Sequence, residues 1–444
     1  MKGTPSTSFS RAAARATATF VGTLRVSAVR ALQLANGMRL LVWPVPGLAS
    51  VALHNWVRVG SRNEVPGLTG LAHFFEHMMF NGTARFGAGD FDRLMEAQGG
   101  SNNAFTSDDV TVYQDWFPPS ALELVMELEA DRIANLSFVP ELIESERAVV
   151  ASERRLYVED SNAGLLSERV QAAAFVSHPY RFPTIGLPAD IKAWRLQDLR
   201  RFFQMHYAPA NQTMVVVGDV DPHHVAALAR KYLQPIAARD PPPPLRVREP
   251  AQWRERSVRL RRRGQSPLLQ VAYKAPAARD RRAPAVRLLL SLLTEGDASL
   301  LHRALVEQHK LAVEVLGDWH EGFDPGLLWL HLTLPQGADA RSVLARLDAE
   351  IERVIARGVA HEQLERARNL STAALWRQLA TLDGKAHLLG EYAVLRGNWR
   401  ALFEAAGRLA AVTPAEVQAV AREVLDPRRR TVGMLVPTGA GRRR

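Results

Sequence analysis

Residues 67–83 read GLTGLAHFFEHMMFNGT, and the most informative part of this stretch is HFFEH at 73–77. On a helix with about 3.6 residues per turn, His73 and His77 lie one turn apart and Glu76 lies beside them, so the three side chains share one face. The opposite face is apolar and carries Leu71, Phe75 and Met78. The segment therefore predicts an amphipathic helix whose polar face presents two imidazoles and one carboxylate.

This arrangement is suited to a metal ion. Two imidazoles at positions i and i+4 can bind the same Zn²⁺ at about 2.0–2.1 Å, while the neighbouring carboxylate acts as a general base. The order H-x-x-E-H is the inverzincin signature. Coincidence is the alternative, because so short a pattern arises by chance in roughly a few per cent of chains of this length. A catalytic zinc usually takes three protein ligands, so a third ligand has to come from elsewhere in the chain.

A second helix is predicted at 140–160, PELIESERAVVASERRLYVED, where proline suits the first helical position and no glycine interrupts the segment. At 100° per residue, Glu146 and Glu153 lie about 20° apart. Within about 60° of Glu146 lie five apolar side chains, namely Leu142, Ile143, Val149, Val150 and Tyr157. Burying carboxylates in such a stripe costs free energy unless a metal cation or arginine side chains compensate the negative charge. The HFFEH motif favours a metal cation over arginines. Glu153 and Glu146 are therefore candidates for the third metal ligand and for a residue that supports the ligands.

The segment GSRNEVPGLTGLAHFFEHMMFNGT at 60–83 resembles the motif of the pitrilysin/insulinase-like inverse zincins, G-S-R-x-E followed by H-x-x-E-H-M-x-F-x-G-T. The resemblance is to the group that contains mitochondrial processing peptidase and its bacterial relatives. It implies a single Zn²⁺ per chain, with Glu76 as the general base and Glu146 as a supporting residue that holds a ligand histidine. The metal ligands that it implies are His73, His77 and Glu153.

Further segments extend the resemblance over most of the N-terminal half. GGSNNAFTSDDVTVY at 99–113 is similar to the family's edge strand, on which a substrate peptide lies as an added strand. HPYRFPTIG at 178–186 and YAPANQTMVVVGDVD at 207–221 resemble two other family segments. The residues implied to bind the peptide backbone are Asn103, Ala104 and Phe105. The implied activity is that of a zinc metalloendopeptidase acting on peptides or unfolded segments.

The resemblance also implies an α+β fold of two homologous α/β domains, each a mixed antiparallel sheet covered by helices, which together form half of a clamshell chamber. RDPPPPLRVREP at 239–250 has the composition of a semi-rigid spacer. After it, helices are predicted near 284–294, 299–309 and 340–356, and no second H-x-x-E-H occurs. We predict a catalytic zinc-binding domain at 31–238, a Pro-rich linker at 239–250 and a second homologous domain at 251–439.

The two ends of the chain have a different composition. Residues 1–60 contain no Asp or Glu, and the first 30 are rich in Ala, Ser, Thr and Arg. The segment at 16–24 is a poor apolar core for a secretory signal, and the composition also fits an organellar presequence. We predict an extension or signal at 1–30 and a basic tail at 440–444. The bacterial periplasm is slightly favoured over the cytoplasm.

Overall composition excludes several classes of function. The 444 residues include no run of 18 apolar residues, so no membrane span is predicted. The absence of cysteine excludes disulfides, thiolate metal sites and a cysteine nucleophile. The net charge of +10 raises nucleic-acid binding as an alternative. Because the basic residues are scattered and no aromatic stacking motif accompanies them, we predict no nucleic-acid partner.

The second half departs from the family pattern. Complete members carry an arginine and a tyrosine there that bind substrate, and this chain has Leu300 and Val313 at the corresponding positions of EGDASLLHRALVEQHKLAVEV (295–315). Arg303 lies one helical turn beyond Leu300, and no nearby tyrosine replaces Val313. We therefore predict a hetero-oligomer in which a homologous partner subunit lacking H-x-x-E-H supplies the Arg/Tyr pair. The alternative is a non-catalytic structural subunit of an assembly, although such relatives typically lose zinc-motif residues that this chain retains.

Overall fold

The computed structural model describes residues 26–264 and 266–438. Most of the predicted 1–30 extension, position 439 and the 440–444 tail lie outside the described residues. The first half contains the strands β1 (Arg30–Gln33), β2 (Arg39–Pro44), β3 (Val51–Val57), β4 (Ser101–Thr106), β5 (Thr111–Phe117) and β6 (Gln212–Gly218). Its helices are α1 (Leu71–Met78), α2 (Asp90–Ala97), α3 (Leu122–Asn135), α4 (Pro140–Arg154), α5 (Asn162–Ala174), α6 (Pro188–Ala193), α7 (Leu196–His206) and α8 (Pro222–Tyr232).

The second half repeats this alternation of strands and helices. Its strands are β7 (Arg256–Arg263), β8 (Leu268–Lys274), β9 (Glu314–Trp319), β10 (Leu327–Thr333) and β11 (Arg430–Thr438). Its α-helices are α9 (Ala283–Thr294), α10 (Ala340–Arg357), α11 (His361–Leu379), α12 (Leu382–Val394), α13 (Ala405–Ala411) and α14 (Pro414–Val424). In the described chain no helix or strand lies between Tyr232 and Arg256, the segment that includes the expected linker.

The first sheet has the strand order β1-β2-β6-β3-β5-β4. β2 and β6 are parallel, and the other neighbouring strands are antiparallel. An Asn-Gly turn at 36–37 joins β1 to β2, and Gly37 has a φ of 90°, which glycine adopts without steric cost. Every residue of the central strands β3 and β6 is buried. β4 lies at the sheet edge, so one of its sides has no strand partner among the described residues.

The second sheet has the order β7-β11-β8-β10-β9. Its one parallel pair is β7 with β11, and the remaining neighbours are antiparallel. This is the order β2-β6-β3-β5-β4 of the first sheet with the parallel pair in the same place. The predicted α+β fold of two helix-covered mixed sheets is therefore confirmed, and the edge strand β9 is the counterpart of β4.

The two halves exchange helices. Each sheet packs one face against helices of its own half, which form the two largest apolar cores. On the other face of the first sheet lies α12 of the second half, against β3 and β6. Here Gly390 approaches Trp56 so closely that a Cβ on Gly390 would lie 2.0 Å from the indole nitrogen. On the second sheet the corresponding helix is α5 of the first half. Neither sheet is therefore fully covered by its own half of the chain.

None of the helices in the described part of the chain has the length and hydropathy that crossing a bilayer requires.

Candidate metal centre and active site

The helix that carries HFFEH is fixed at its N-terminus. The first N–H groups of a helix have no partner inside the helix, and a carboxylate there is favourable. Glu64, which is 5% exposed, accepts hydrogen bonds of 2.7 Å from the backbone N–H groups of Gly70 and Ala72. Gly70 has a φ of 90°, and a Cβ on it would lie 2.7 Å from the carbonyl oxygen of Ile185. This capping orients α1, whose residues Leu71, Phe75 and Met78 are buried as predicted.

His73, His77 and Glu153 meet at one point. The Nε2 atoms of His73 and His77 lie 3.6 Å and 3.5 Å from the same oxygen, Oε2 of Glu153. These separations are too long for good hydrogen bonds. Two ligand atoms at about 2.1 Å from one tetrahedral Zn²⁺ are about 3.4 Å apart, which is close to the observed spacing. Among the described residues, this is the one group of His, Cys, Asp or Glu side chains whose geometry suits a shared metal ion.

Glu146 holds the second histidine. Its Oε2 accepts a hydrogen bond of 3.1 Å from Nδ1 of His77. A proton on Nδ1 leaves the lone pair on Nε2, the nitrogen that faces Glu153, and such a bond is the usual support of a metal-binding histidine. Within residues 26–264 and 266–438, neither Glu146 nor Glu153 forms an ion pair with an arginine. The structure thus disfavours the arginine alternative for these two carboxylates.

Glu76 lies on the same face of α1 and is held from the edge strand. Thr106, the last residue of β4, donates a hydrogen bond of 2.6 Å from Oγ1 to Oε2 of Glu76. Burial raises the pKa of Glu76, and the hydrogen bond from Thr106 opposes this shift. The carboxylate therefore lies beside the two histidines without joining the three-ligand group.

The electrostatic environment separates the two histidines. Burial, and then the proximity of His77, lowers the pKa of His73 to about 4, so this imidazole is neutral at neutral pH. Burial also acts to lower the pKa of His77, but the bond to Glu146 and the charges of Glu146, Glu153 and Glu76 raise it overall. The hydrogen bond from His77 in turn lowers the pKa of Glu146. The cluster thus attracts positive charge, which a proton or a metal cation can supply.

The three residues predicted to contact peptide backbone all lie on β4. Ala104 packs towards α1 and the first core, whereas the Phe105 ring packs on the opposite face, 6.3 Å from the ring of Trp56. Asn103 is exposed. Side chains alternate along a strand, so only the backbone edge is common to the three residues. β4 packs along α1, and its last residue, Thr106, lies next to Glu76.

A cavity of about 340 Å³ adjoins His73 and Glu153. Thr106 also lines it, together with Ser167 and Gln171 of α5. The cavity provides space beside Glu153 for a group of a bound molecule.

One prediction about the second helix is partly wrong. α4 ends at Arg154, and residues 155–159 continue it as a π-helix. Of the residues expected in the apolar stripe, Ile143 and Val150 are buried, but Val149 and Tyr157 are 45% and 62% exposed. The C-terminal part of this helix face meets the cavity and not the core, since Tyr157 lines that cavity. Single π-helical turns often occur at functional sites, and this one begins two residues after Glu153.

Two polar contacts of the site could not be assigned from the sequence. Glu64 was part of the G-S-R-x-E motif, but its role as the helix cap was not predicted. Thr106 follows the predicted strand residues, and nothing in its spacing indicated that it contacts Glu76. For Glu64 the sequence holds an indirect indication: it lies six residues before Gly70, so its carboxylate can fold back and accept hydrogen bonds from the first N–H groups of the helix.

Comparison with known proteins identifies the family. Residues 46–186 match the family model described as Insulinase (Peptidase family M16), and residues 193–371 match the model described as Peptidase M16 inactive domain. The chain belongs to peptidase family M16. The histidine pair lies in the first matched segment, and α9, α10 and the first part of α11 lie in the second.

The relatives carry names of proteases. The zinc protease PqqE of Helicobacter pylori is 34% identical over 284 residues, which is 63% of this chain and 64% of the relative, so the match spans less than two thirds of that protein. An uncharacterized zinc protease of Streptomyces coelicolor is 26% identical over 94% of this chain and 92% of its own length.

Solved structures show the same fold. A crystal structure of a protease from Helicobacter pylori has a TM-score of 0.89 and 27% identity, covering 92% of this chain and 99% of that one. The periplasmic protease PqqL of Escherichia coli has a TM-score of 0.77 and 20% identity, covering 94% of this chain but 48% of that chain. This chain therefore corresponds to about half of the PqqL structure.

Proposed function

We propose that the chain is a zinc-dependent endopeptidase that hydrolyses peptides or unfolded segments. The observation that carries the proposal is the meeting of His73 and His77 at a single oxygen of Glu153, with the Glu76 carboxylate beside them. Within the family, we place the chain with the bacterial relatives of mitochondrial processing peptidase. The protease names of the relatives support the reaction class.

The residues fit one Zn²⁺. The donor set of two imidazoles and one carboxylate is common in catalytic zinc sites, which hold three protein ligands and keep a further position open. His73, His77 and Glu153 would hold the ion. When bound, it supplies Lewis-acid polarisation of the scissile carbonyl group.

The remaining residues orient groups and move a proton. Glu76 accepts a proton from the attacking water and delivers it to the nitrogen of the leaving amine. Thr106 keeps the carboxylate of Glu76 at a fixed place through the bond at 2.6 Å. Glu146 fixes the tautomer and ring orientation of His77 through the bond at 3.1 Å.

Peptide binding is assigned to the edge of β4. An edge strand presents unpaired N–H and C=O groups, to which an extended peptide can add as a further strand. Asn103, Ala104 and Phe105 contribute this backbone edge, and the strand ends at Thr106 beside Glu76. A peptide added there runs past the catalytic carboxylate, and the requirement for a free extended backbone favours unfolded over folded substrates.

The reaction can be tested with purified protein and a set of quenched fluorescent peptides. We expect one zinc per chain by elemental analysis, cleavage that stops when a chelator removes the metal, and recovery when zinc is restored. A compact folded domain should survive the same incubation. Stable zinc binding without cleavage of any peptide, with all partner subunits present, would favour the non-catalytic structural subunit instead.

We also propose that the active enzyme contains a second, homologous subunit. Leu300 and Val313 stand where complete family members have the substrate-binding Arg/Tyr pair, and Val313 is 60% exposed. Arg303 is exposed and lies nearby in sequence. A chain that matches about half of PqqL is consistent with an enzyme built from two such halves around a chamber. A partner lacking H-x-x-E-H would supply the missing arginine and tyrosine.

The partner can be tested by comparing the isolated chain with the pair. We expect the isolated chain to bind zinc and cleave peptides slowly, and the homologous partner to raise the rate. Full activity of the chain alone, unchanged on dilution as a monomer or homodimer, would contradict the two-subunit proposal while leaving the peptidase assignment intact.

A further inference from the structure

The hairpin loop that follows the peptide-binding edge contains two adjacent acidic residues. Residues 107–110 connect β4 to β5, and the strand ends Thr106 and Thr111 pair across the hairpin. Asp109 is 2% exposed, and the side chain of Asp108 is 12% exposed. Two neighbouring carboxylates in so buried a place repel one another and need a compensating cation.

One such cation comes from the other half of the chain. His320, in the loop between β9 and β10, lies between the two aspartates, with Nδ1 at 2.9 Å from Oδ2 of Asp108 and Nε2 at 2.9 Å from Oδ2 of Asp109. Burial acts to lower the pKa of His320, but the hydrogen bonds and charges of both aspartates raise it to about 10. The imidazole is therefore protonated at neutral pH and donates from both nitrogens.

Tyr180 and Arg62 of the first half extend the contact to Asp324 of the same loop. Tyr180 donates to Asp109 at 2.7 Å, and its hydroxyl accepts from the backbone N–H of Asp324 at 3.2 Å. Arg62 bridges Asp109 and Asp324. The space is full, since a Cβ on Gly322 would lie 2.3 Å from Oδ2 of Asp109 and 2.4 Å from Nε2 of His320. The loop 320–324 and the hairpin loop 107–110 thus fit together with no room for a methyl group.

We propose that the loop 320–324 positions the peptide-binding strand, and that His320 is the residue through which the second half holds β4 and Thr106 against Glu76. The reason is the geometry of the edge. Among the described residues β4 pairs with β5 alone, so its free side gains no order from the sheet. The C-terminal end of β4, where Thr106 bonds to Glu76, directly precedes the loop 107–110, whose two aspartates bind His320. This inference rests on the proposed peptidase function and adds a positioning role for the domain that lacks H-x-x-E-H.

Hydrogen exchange of the metal-free protein tests the positioning without any catalysis. The variants are His320→Gln, which removes the charge and one donor, and Gly322→Ala, which forces a methyl group into the contact. Arg256→Gln is the matched control, because Arg256 joins the halves elsewhere by donating to the carbonyl oxygens of Ala173 and Ala174 at 2.9 Å and 2.8 Å. We expect faster amide exchange at 101–111 in the first two variants and unchanged exchange there in the control.

Two results would overturn the proposal in this experiment. One is exchange at 101–111 that equals the wild-type rate in both His320→Gln and Gly322→Ala. The other is an equal increase over the whole chain, because that would indicate general destabilisation and not local control of β4.

Peptide binding provides the second readout and separates the two proposals. In a Glu76→Gln background, which prevents turnover, a labelled peptide is titrated with and without His320→Gln at equal zinc content, each variant assembled with its homologous partner. We expect the added substitution to weaken peptide binding by about fivefold to tenfold. Equal affinity in the two variants would refute the positioning role. Absence of peptide binding in the Glu76→Gln parent would instead refute the proposed function, and hydrogen exchange would still decide whether His320 orders β4.

Discussion

Thr106 on β4 donates a hydrogen bond of 2.6 Å to the carboxylate of Glu76 on α1. The edge strand proposed to bind peptide and the helix proposed to carry the general base therefore meet in one contact. A substrate added to β4 would lie next to the group that has to move the proton.

Thr106→Val should slow turnover without loss of metal, because it removes the hydroxyl that fixes Glu76 and leaves the three ligand candidates untouched. The loss of one hydrogen bond to a carboxylate predicts a decrease in kcat of about tenfold. Thr106→Ser retains the hydroxyl and should recover most of the rate. Steady-state kinetics at matched zinc content measures both, and equal kcat values for Thr106→Val and wild type would exclude this role.

Glu146→Gln should weaken zinc binding by about 10-fold to 100-fold, since a neutral amide supports His77 less well than a carboxylate does. Competition with a chelator measures the change. Glu144→Gln is the control, because Glu144 lies on the same helix, is 66% exposed and pairs with Arg147. If both variants held zinc as tightly as wild type, the bond between Glu146 and His77 would have no part in metal binding.

Glu64→Ala should destabilise the first half by about 2–4 kcal/mol, because the N–H groups of Gly70 and Ala72 would be left buried without their acceptor. Urea unfolding measures this loss, and zinc affinity should fall with it because α1 carries both histidines. Glu141→Ala, at the exposed start of α4, is a suitable control. Unchanged unfolding of the Glu64 variant would show that the cap is dispensable.

The pH dependence of stability should reveal the charge on His320. The folded chain holds this proton up to a pKa of about 10, whereas the unfolded chain releases it near a pKa of about 6.5. The stabilisation is therefore complete below about pH 6.5 and is lost as the pH rises towards about 10. The groups that face His320 are Asp108, Asp109 and Tyr180.

The experiment compares the urea midpoint of wild type with that of His320→Gln across this range. The difference between the two should shrink as the pH increases. Other groups that titrate in the range, such as Lys274 with a pKa of about 7, are present in both proteins and cancel in the difference. A difference that stays constant with pH would contradict a protonated His320 in the folded chain.

The local part of the site could be predicted from the sequence. His73, Glu76 and His77 lie within five residues, so helical geometry alone places them on one face. Glu153 was reached through its helix and through the family resemblance. The expectation that its whole neighbourhood is buried failed at Val149 and Tyr157, because periodicity shows which residues share a face but not whether that face meets a core or a cavity.

The contacts between distant segments could not be predicted in the same way. Thr106 and Glu76 are 30 residues apart, and His320 and Asp109 are 211 residues apart. No local period connects them. The helices α11 and α12 were likewise not predicted, although α12 covers a face of the first sheet. The sheet order that places β4 at an edge follows from tertiary pairing and not from the strand's own sequence.

The most direct test of the proposed zinc-dependent cleavage compares wild type and Glu76→Gln at equal zinc content, each assembled with its homologous partner. Elemental analysis gives the metal content, and a quenched peptide gives the rate of cleavage. We predict one zinc per chain in both proteins, chelator-sensitive cleavage by wild type, and a rate for Glu76→Gln that is lower by at least about 100-fold. Cleavage by the zinc-loaded Glu76→Gln enzyme at the wild-type rate would contradict the assignment of Glu76 and the mechanism built on it.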